Sequence, residues 1–356
     1  MPEKEDTIQK YIDYWDEVIR QWLQYNADYK SFTGDAAEQR QIIEAINSTV
    51  GKNPDYWLNI QHMPEPYWGN PQKCSIVLLD YNPAGGPEIS RHTSINCKDC
   101  AKCGISFINF INSEYLYNNN KGYSSFALNG PTFQSKEEIK HNNLRWFSDK
   151  DNGYGGYHWW QEKKEWAHHL INAICGNVKR DNKYPWGMEL CGWHSKKWSN
   201  NMNWIDEGEC HEIVNRRVIQ PLFAAMKNSL WNCSPKIAAC IGAEFKEELL
   251  NHYFGKINNI TKNISEDIKK EVIDTTKSGF DNLSYTLQCD KSNILHVTAK
   301  WGKKEKKNRN YRVFHISEND ESYYILNTFY RGSNHHPAEH FWPFEKELIN
   351  VIKEHY

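Results

Sequence analysis

Two short segments hold the residue types that chemistry on a small bound molecule would need. One is Asp80-Tyr81-Asn82-Pro83-Ala84-Gly85-Gly86, and the other, far along the chain, is Ser333-Asn334-His335-His336-Pro337. The first offers a carboxylate and a carboxamide, the second two imidazoles. An amide aligns a water by hydrogen bonding but is a poor general base, whereas a carboxylate at a buried strand end can have a raised pKa and take a proton. An imidazole can donate a hydrogen bond to a carbonyl oxygen that gains negative charge. Each group also has a plainer role. Asn82 can cap the turn through its own amide, Asp80 can bond loop amides, and a loop histidine can be structural. His335 and His336 compete for the inward position, because a one-residue slip exchanges them.

Cys97-Lys98-Asp99-Cys100-Ala101-Lys102-Cys103 is the metal-like signal. Cys-x-x-Cys-x-x-Cys has iron–sulfur spacing, though such clusters take four thiolates. The same three could hold zinc, completed by His92 or by a distant cysteine such as Cys74, Cys175 or Cys191. Three unligated thiols is the other reading. From Lys300 to Arg312 the chain carries seven Lys or Arg against one Glu. Lys303, Lys304, Lys306, Lys307 and Arg309 can grip phosphates there, or can simply be a solvated loop. His194, Ser195, Lys196 and Lys197 follow a presumed strand, where a lysine can meet phosphate and His194 can line a pocket, or where all four can simply form a solvated loop. Phe107, Phe110, Tyr115 and Phe126 are candidates for stacking on a base.

These groups need elements to position them. Ile76 to Leu79 is an unbroken apolar run that predicts a buried strand, and Pro83, Gly85 and Gly86 forbid its continuation while letting backbone approach a ligand. Lys236 to Gly242 and Tyr323 to Phe329 predict two more strands, with a helix from Ala243 to Tyr253. In open α/β sheets, ligands bind beyond the carboxyl ends of the strands. Ile8, Tyr11, Ile12, Trp15, Val18, Ile19, Trp22 and Leu23 mark one face of a helix over residues 5–25. A second helix is expected from Asp35, as N-cap, to Ile46. Further helices are expected at Trp159–Ile174, Cys210–Ser229 (bent near Pro221) and Pro343–His355, with a short strand near Trp186–His194. Residues 294–301 and 311–316 predict a hairpin whose long tip is the basic run. The fold class expected is α/β, a three-layer sandwich around a largely parallel central sheet. Residues 1–55 are expected to be helical decoration and 56–356 one domain, with the basic hairpin inserted at about 294–316.

The net charge of -2 excludes a global basic field for nucleic acid. The polar N-terminal segment and the lack of an apolar run of about 20 residues predict a cytoplasmic protein, with no membrane partner and with its ten cysteines as thiols.

The pattern resembles the uracil-DNA glycosylase-like superfamily. Its first motif, a strand followed by Gly-x-Asn-Pro-Gly or Gly-Gln-Asp-Pro-Tyr, is matched by Asp80-Tyr81-Asn82-Pro83-Ala84-Gly85. Its late His-Pro-Ser or Asn-Pro-Ser motif is matched by His336-Pro337-Ala338. Glu189-Leu190-Cys191-Gly192-Trp193-His194-Ser195 resembles a segment, Glu-Leu-x-x-Tyr-His-Ser, of uncharacterised bacterial members. Asp80 stands where the family has glycine, and Ala338 where it has serine. The resemblance implies hydrolysis of an N-glycosidic bond in DNA, with Asn82 positioning water and His336 (or His335) bonding the departing base. It further implies Tyr81, Pro83 and Gly85 along that base, no required cofactor, and DNA as the partner. Some relatives in the superfamily carry an iron–sulfur cluster, with cysteines placed differently from Cys97, Cys100 and Cys103.

Overall fold

The computed structural model describes residues 2–25, 28–49, 57–58, 60, 64, 66–69, 74–80, 166–176, 184–193, 212, 216, 220–227, 235–243, 245–271, 283–301, 305–330 and 339–356. The chain divides into two compact units that interleave along the sequence. One comprises Met1–Gln72, Asp80–Gln161 and Trp186–Asn228, the other Lys73–Leu79, Glu162–Pro185 and Ser229–Tyr356.

In the first unit, helix α1 (Pro2–Gln24) is longer than expected at its start and buries the stripe its spacing announces. Ile8, Tyr11, Ile12, Trp15, Val18, Ile19 and Trp22 are all buried, joined by Tyr14. Helix α2 (Glu38–Thr49) begins later than expected. Asp35 falls inside a preceding 3-10 turn, Gly34–Ala37, rather than serving as its cap. Strand β1 (Tyr67–Gly69) pairs antiparallel with β3 (Tyr184–Glu189), Tyr67 opposite Met188. An eight-residue helix, α4 (Gln220–Lys227), carries Pro221 at its start, where the missing N–H costs no hydrogen bond, and packs on α1.

The second unit is built on a mixed sheet with strand order β2-β4-β9-β8-β7-β6. Its strands are β2 (Cys74–Asp80), β4 (Lys236–Ile241), β6 (Ser284–Cys289), β7 (Leu295–Trp301), β8 (Glu305–Glu318) and β9 (Glu321–Phe329). A short β5 (Ile257–Asn259) pairs with β8. Among the pairings described in this unit, β2–β4 and β4–β9 run parallel. From β9 outward every described pairing is antiparallel, because β6 to β9 follow one another through hairpins. The expected largely parallel sheet is therefore parallel at one end only.

The β8–β9 hairpin turns on Asn319 and Asp320, both at positive φ (50° and 63°), the backbone that a two-residue turn needs to match strand twist. β7 and β8 are paired down to Trp301 opposite Glu305, so the basic run is not a long loop. Lys306, Lys307 and Arg309 are strand residues, and only 302–304 separate the strands; Lys303 and Lys304 lie outside the described residues.

Helices α5 (Glu247–Phe254), α6 (Thr261–Glu271) and α7 (Trp342–His355) belong to the same unit, with α3 over residues 166–175. α5 starts four residues later than expected. α7 buries Phe344, Leu348, Ile349, Val351 and Ile352, a helical stripe, and Pro343 sits in its first turn. No described helix is long and apolar enough to cross a membrane.

Candidate functional site

The parallel end of the second unit's sheet sets the geometry. Leu79 lies opposite Cys240, and Cys240 opposite Asn327, so three residues stand abreast in β2, β4 and β9. The next step along each strand is Asp80, Ile241 and Thr328. Parallel pairing brings all three carboxyl ends to one edge. β2 and β9 flank β4, so the carboxyl ends of these two strands stand roughly 10 Å apart, two strand spacings. Ser75 to Leu79 are buried, as are Tyr323 to Phe329, as the apolar runs Ile76–Leu79 and Tyr323–Leu326 require of strands in the interior of this sheet.

Polar side chains are buried at this edge. Asn327, wholly buried, donates from Nδ2 to the Gly242 carbonyl at 2.7 Å and to the Cys240 carbonyl at 3.3 Å. Its Oδ1 accepts from Arg312 Nη1 at 3.3 Å, and the same nitrogen reaches the carbonyls of Ala243 (3.0 Å) and Phe245 (3.3 Å). The Arg312 guanidinium lies 4.5 Å from the centre of the Phe329 ring. Gly242, at φ 133°, turns the chain out of β4 while its N–H donates to the Thr328 carbonyl at 3.0 Å. This amide–guanidinium bracket fixes the exit from β4 between the two outer strand ends. Asn327→Ala is expected to cost about 2 kcal/mol in urea unfolding, because it strips partners from buried groups. The double variant with Arg312→Ala should cost less than the two single losses combined, since the residues share contacts.

On the opposite face of the sheet, Arg309 donates from Nη1 to Thr328 Oγ1 at 3.4 Å and lies 5.4 Å from the centre of the Phe341 ring. It is 5% exposed, so it is a core residue and not part of an exposed basic tip. Strand alternation puts Arg309 on the face of Tyr311, toward α7, and Lys306 on the other face; Lys307 shares the face of Arg309 but is exposed, nearer the end of the strand. Beside Arg309 lies Glu345, whose Oε1 accepts from Tyr311 Oη at 2.9 Å and whose Oε2 accepts from Trp166 Nε1 at 2.7 Å. Burial pushes its carboxyl up to about 7, against the opposing pull of Arg309 and the two donors.

In the first unit, the Asp80 carbonyl accepts from the Leu190 N–H at 2.8 Å, and Glu189 N–H donates to the Pro66 carbonyl at 2.9 Å. Glu189 to Trp193 are buried. Trp193 Nε1 donates to Gln39 Oε1 at 2.7 Å, and Gln39 Nε2 donates to Tyr14 Oη at 2.8 Å. A Cβ on Gly192 would come within 2.7 Å of the Trp15 ring, so glycine is needed for close packing there. This part of the Glu189–Ser195 segment is interior structure.

Of the residues picked out from sequence, Asp80 ends β2, half-buried, and Lys306, Lys307 and Arg309 lie on β8. Tyr81, Asn82, Pro83, Gly85, Phe107, Phe110, Tyr115, Phe126, His194, Lys196, His335 and His336 lie outside the described residues, as do Cys97, Cys100 and Cys103. Among the described residues no group of three His, Cys, Asp or Glu could hold a metal ion. Cys191, Cys240 and Cys289 are not in disulfides, the thiol of Cys191 being pushed up to about 12 by burial, whereas Cys175 is disulfide-bonded, which corrects the expectation of thiols throughout. Asn327, Arg312 and Glu345 were missed as structural determinants. The available signal was polar residues interrupting apolar strands, Asn327 after Leu326 and Arg312 before Val313. Comparison with protein-family models, curated proteins and solved structures finds no match to this chain.

Proposed function

We propose that the protein is a DNA glycosylase-like hydrolase that releases a deaminated or modified base by hydrolysing its N-glycosidic bond. The observation that carries this is the common edge: the strands leading into Asn82 and His336 are parallel neighbours of the same central strand. In this reading a base is flipped out of the stack. Asn82 aligns the attacking water and His336, or His335, donates a hydrogen bond to the departing base, so that catalysis rests on leaving-group stabilisation. Asp80 supplies the alternative base. No lysine stands in either motif, so the reaction is hydrolysis without a covalent intermediate. Uracil, another deaminated base and a modified base of foreign DNA all suit this chemistry.

The test is incubation of purified protein with DNAs bearing different bases, scored for abasic sites. Asn82→Ala and His336→Ala are each expected to slow release about 10²-fold or more. Unchanged release in both would remove the mechanism. A second reading, a non-catalytic protein that binds nucleic acid, a nucleotide or a partner through the same edge, is favoured by Asp80 and Ala338, which replace the family's Gly and Ser. Binding of DNA with no abasic sites on any substrate is its expected result.

A further inference from the structure

Three strands of the second unit run on past its parallel end and keep one face polar and open. Asn310 of β8 lies opposite Phe329, the last residue of β9. From there β8 extends back to Glu305 alongside β7, with β6 as the outer strand. Lys306 therefore stands four residues, about 13 Å, beyond the carboxyl end of β9. This extension projects from the edge on which the proposed function rests.

Strand register sorts the two faces. On the open one, Lys300 and Lys306 stand directly opposite each other; two residues along, Thr298 faces Asn308, and two farther on His296 faces Asn310. β6 adds Ser284, Thr286 and Gln288, all exposed, to the same rows. No side chain in these rows is acidic or apolar. Asp290, in the turn that follows β6, is already engaged: Oδ2 bonds His296 Nε2 at 2.8 Å, and Oδ1 accepts from the Ser292 and Ile294 N–H groups at 2.9 and 3.0 Å.

Like charges directly opposite each other destabilise a sheet. Lys300 and Lys306 are both exposed, and neither forms an ion pair among the described residues. Solvated faces usually intersperse both signs, and this chain has 45 acidic residues against 43 basic with which to do so. Two opposed lysines without a carboxylate call for an external anion. Donors continue beyond them. Thr298 Oγ1 donates to Asn308 Oδ1 at 2.8 Å, which leaves Asn308 Nδ2 to donate elsewhere. Successive rows lie about 7 Å apart. Lysine with Ser, Thr, Asn and Gln is the donor set that meets phosphate and sugar oxygens along a nucleic-acid backbone. A lone anion would use the lysine pair only. No Trp, Tyr or Phe lies in these rows, so the contact involves no stacking of bases.

We infer that the open face of β6, β7 and β8, centred on Lys300 and Lys306, binds the sugar-phosphate backbone of a DNA strand without reading its bases. It rests on the reading of the protein as acting on DNA and adds where the strand is held outside the carboxyl edge.

The experiment is fluorescence anisotropy of full-length protein with labelled oligo-dT across a salt series. Lys300→Ala with Lys306→Ala is expected to weaken binding about tenfold and to reduce the slope of log affinity against log salt by about 1.4, the value for two phosphates of a single strand. Lys307→Ala, on the other face, should leave that slope unchanged. Thermal unfolding of the double variant should be unchanged or higher, since opposed charges are removed; a lowered midpoint makes the lysines structural and overturns the proposal. Wild-type affinity and slope in the double variant overturn it, as does an equal fall in slope for Lys307→Ala. Failure of the wild type to bind oligo-dT overturns it too. Displacement of oligo-dT by polyglutamate at equal charge concentration overturns it in favour of an acidic protein partner. Binding lost in the double variant, with no abasic sites formed by the wild type, leaves this surface standing and removes only the glycosylase. Abasic sites formed by the wild type, with binding indifferent to both lysines, remove this surface and leave the glycosylase.

Discussion

Glu345→Ala is expected to destabilise the second unit by about 3–4 kcal/mol at pH 6, measured as the shift of the urea midpoint at constant slope. The carboxyl is the acceptor for Trp166 Nε1 and Tyr311 Oη, on side chains that are wholly buried. Removing it orphans both donors, each at about 1–3 kcal/mol, and leaves a void. Glu345→Leu separates those two costs. It restores volume without an acceptor, so a loss close to that of the alanine variant assigns the energy to the hydrogen bonds. Recovery of most of the stability by leucine would assign it to packing and sink the network as described. Glu345→Gln keeps an acceptor for Trp166 and a donor toward Tyr311, so its loss should be the smallest of the three.

The same network shows where sequence reading succeeds and where it stops. α1 was readable because its apolar residues recur with helical period over about four turns, and every described member of that stripe is buried. β2, β4 and β9 were readable as interior strands because apolar runs ended at turn residues. α6 was not, since Ile264 and Ile268 alone mark its buried face within an otherwise polar stretch. β6 was missed because an outer strand alternates exposed and half-buried residues of similar polarity. The β8–β9 turn escaped because Asn319–Asp320 adopts positive φ without glycine. The basic run misled for another reason. Its charge suggested solvent, but pairing with β7 determines its backbone, and a guanidinium can be buried where a carboxylate 36 residues away lies beside it. Glu345 could be placed next to Arg309 only once the sheet register was known. For the candidate site, sequence supplied the residues and the structure supplies the shared edge from which their segments leave.

The wild type should show little pH dependence of stability between about pH 4.5 and 6.5 from two buried groups that oppose each other, and removing either should expose the other. Glu345 has its carboxyl raised from 4.5 to about 7, chiefly by burial. Its contribution is fully present below pH 4.5 and is lost as pH rises through 7, because the folded state alone holds the proton between those values. His169, on α3, stacks on Trp342 of α7 with ring centres 5.3 Å apart. Burial lowers its imidazole from 6.5 to about 4, with Lys346 adding to the shift and a bond to the Trp342 backbone opposing it. Its contribution is fully present above pH 6.5 and is lost as pH falls toward 4. Each shift corresponds to roughly 3 kcal/mol at about 1.4 kcal/mol per pH unit. The groups facing Glu345 are Trp166 from α3, Tyr311 and Arg309 from β8 and, farther off, Tyr285 from β6; burial raises both tyrosine hydroxyls, away from this window. In Glu345→Gln, stability should therefore fall on acidification relative to wild type, by roughly 1.4 kcal/mol per unit. In His169→Phe, which keeps a ring against Trp342, it should fall on alkalinisation instead. Taking differences from wild type at each pH removes the shared titration of surface carboxylates. Flat difference curves for both variants between pH 4.5 and 7 would show that neither group carries its proton as described.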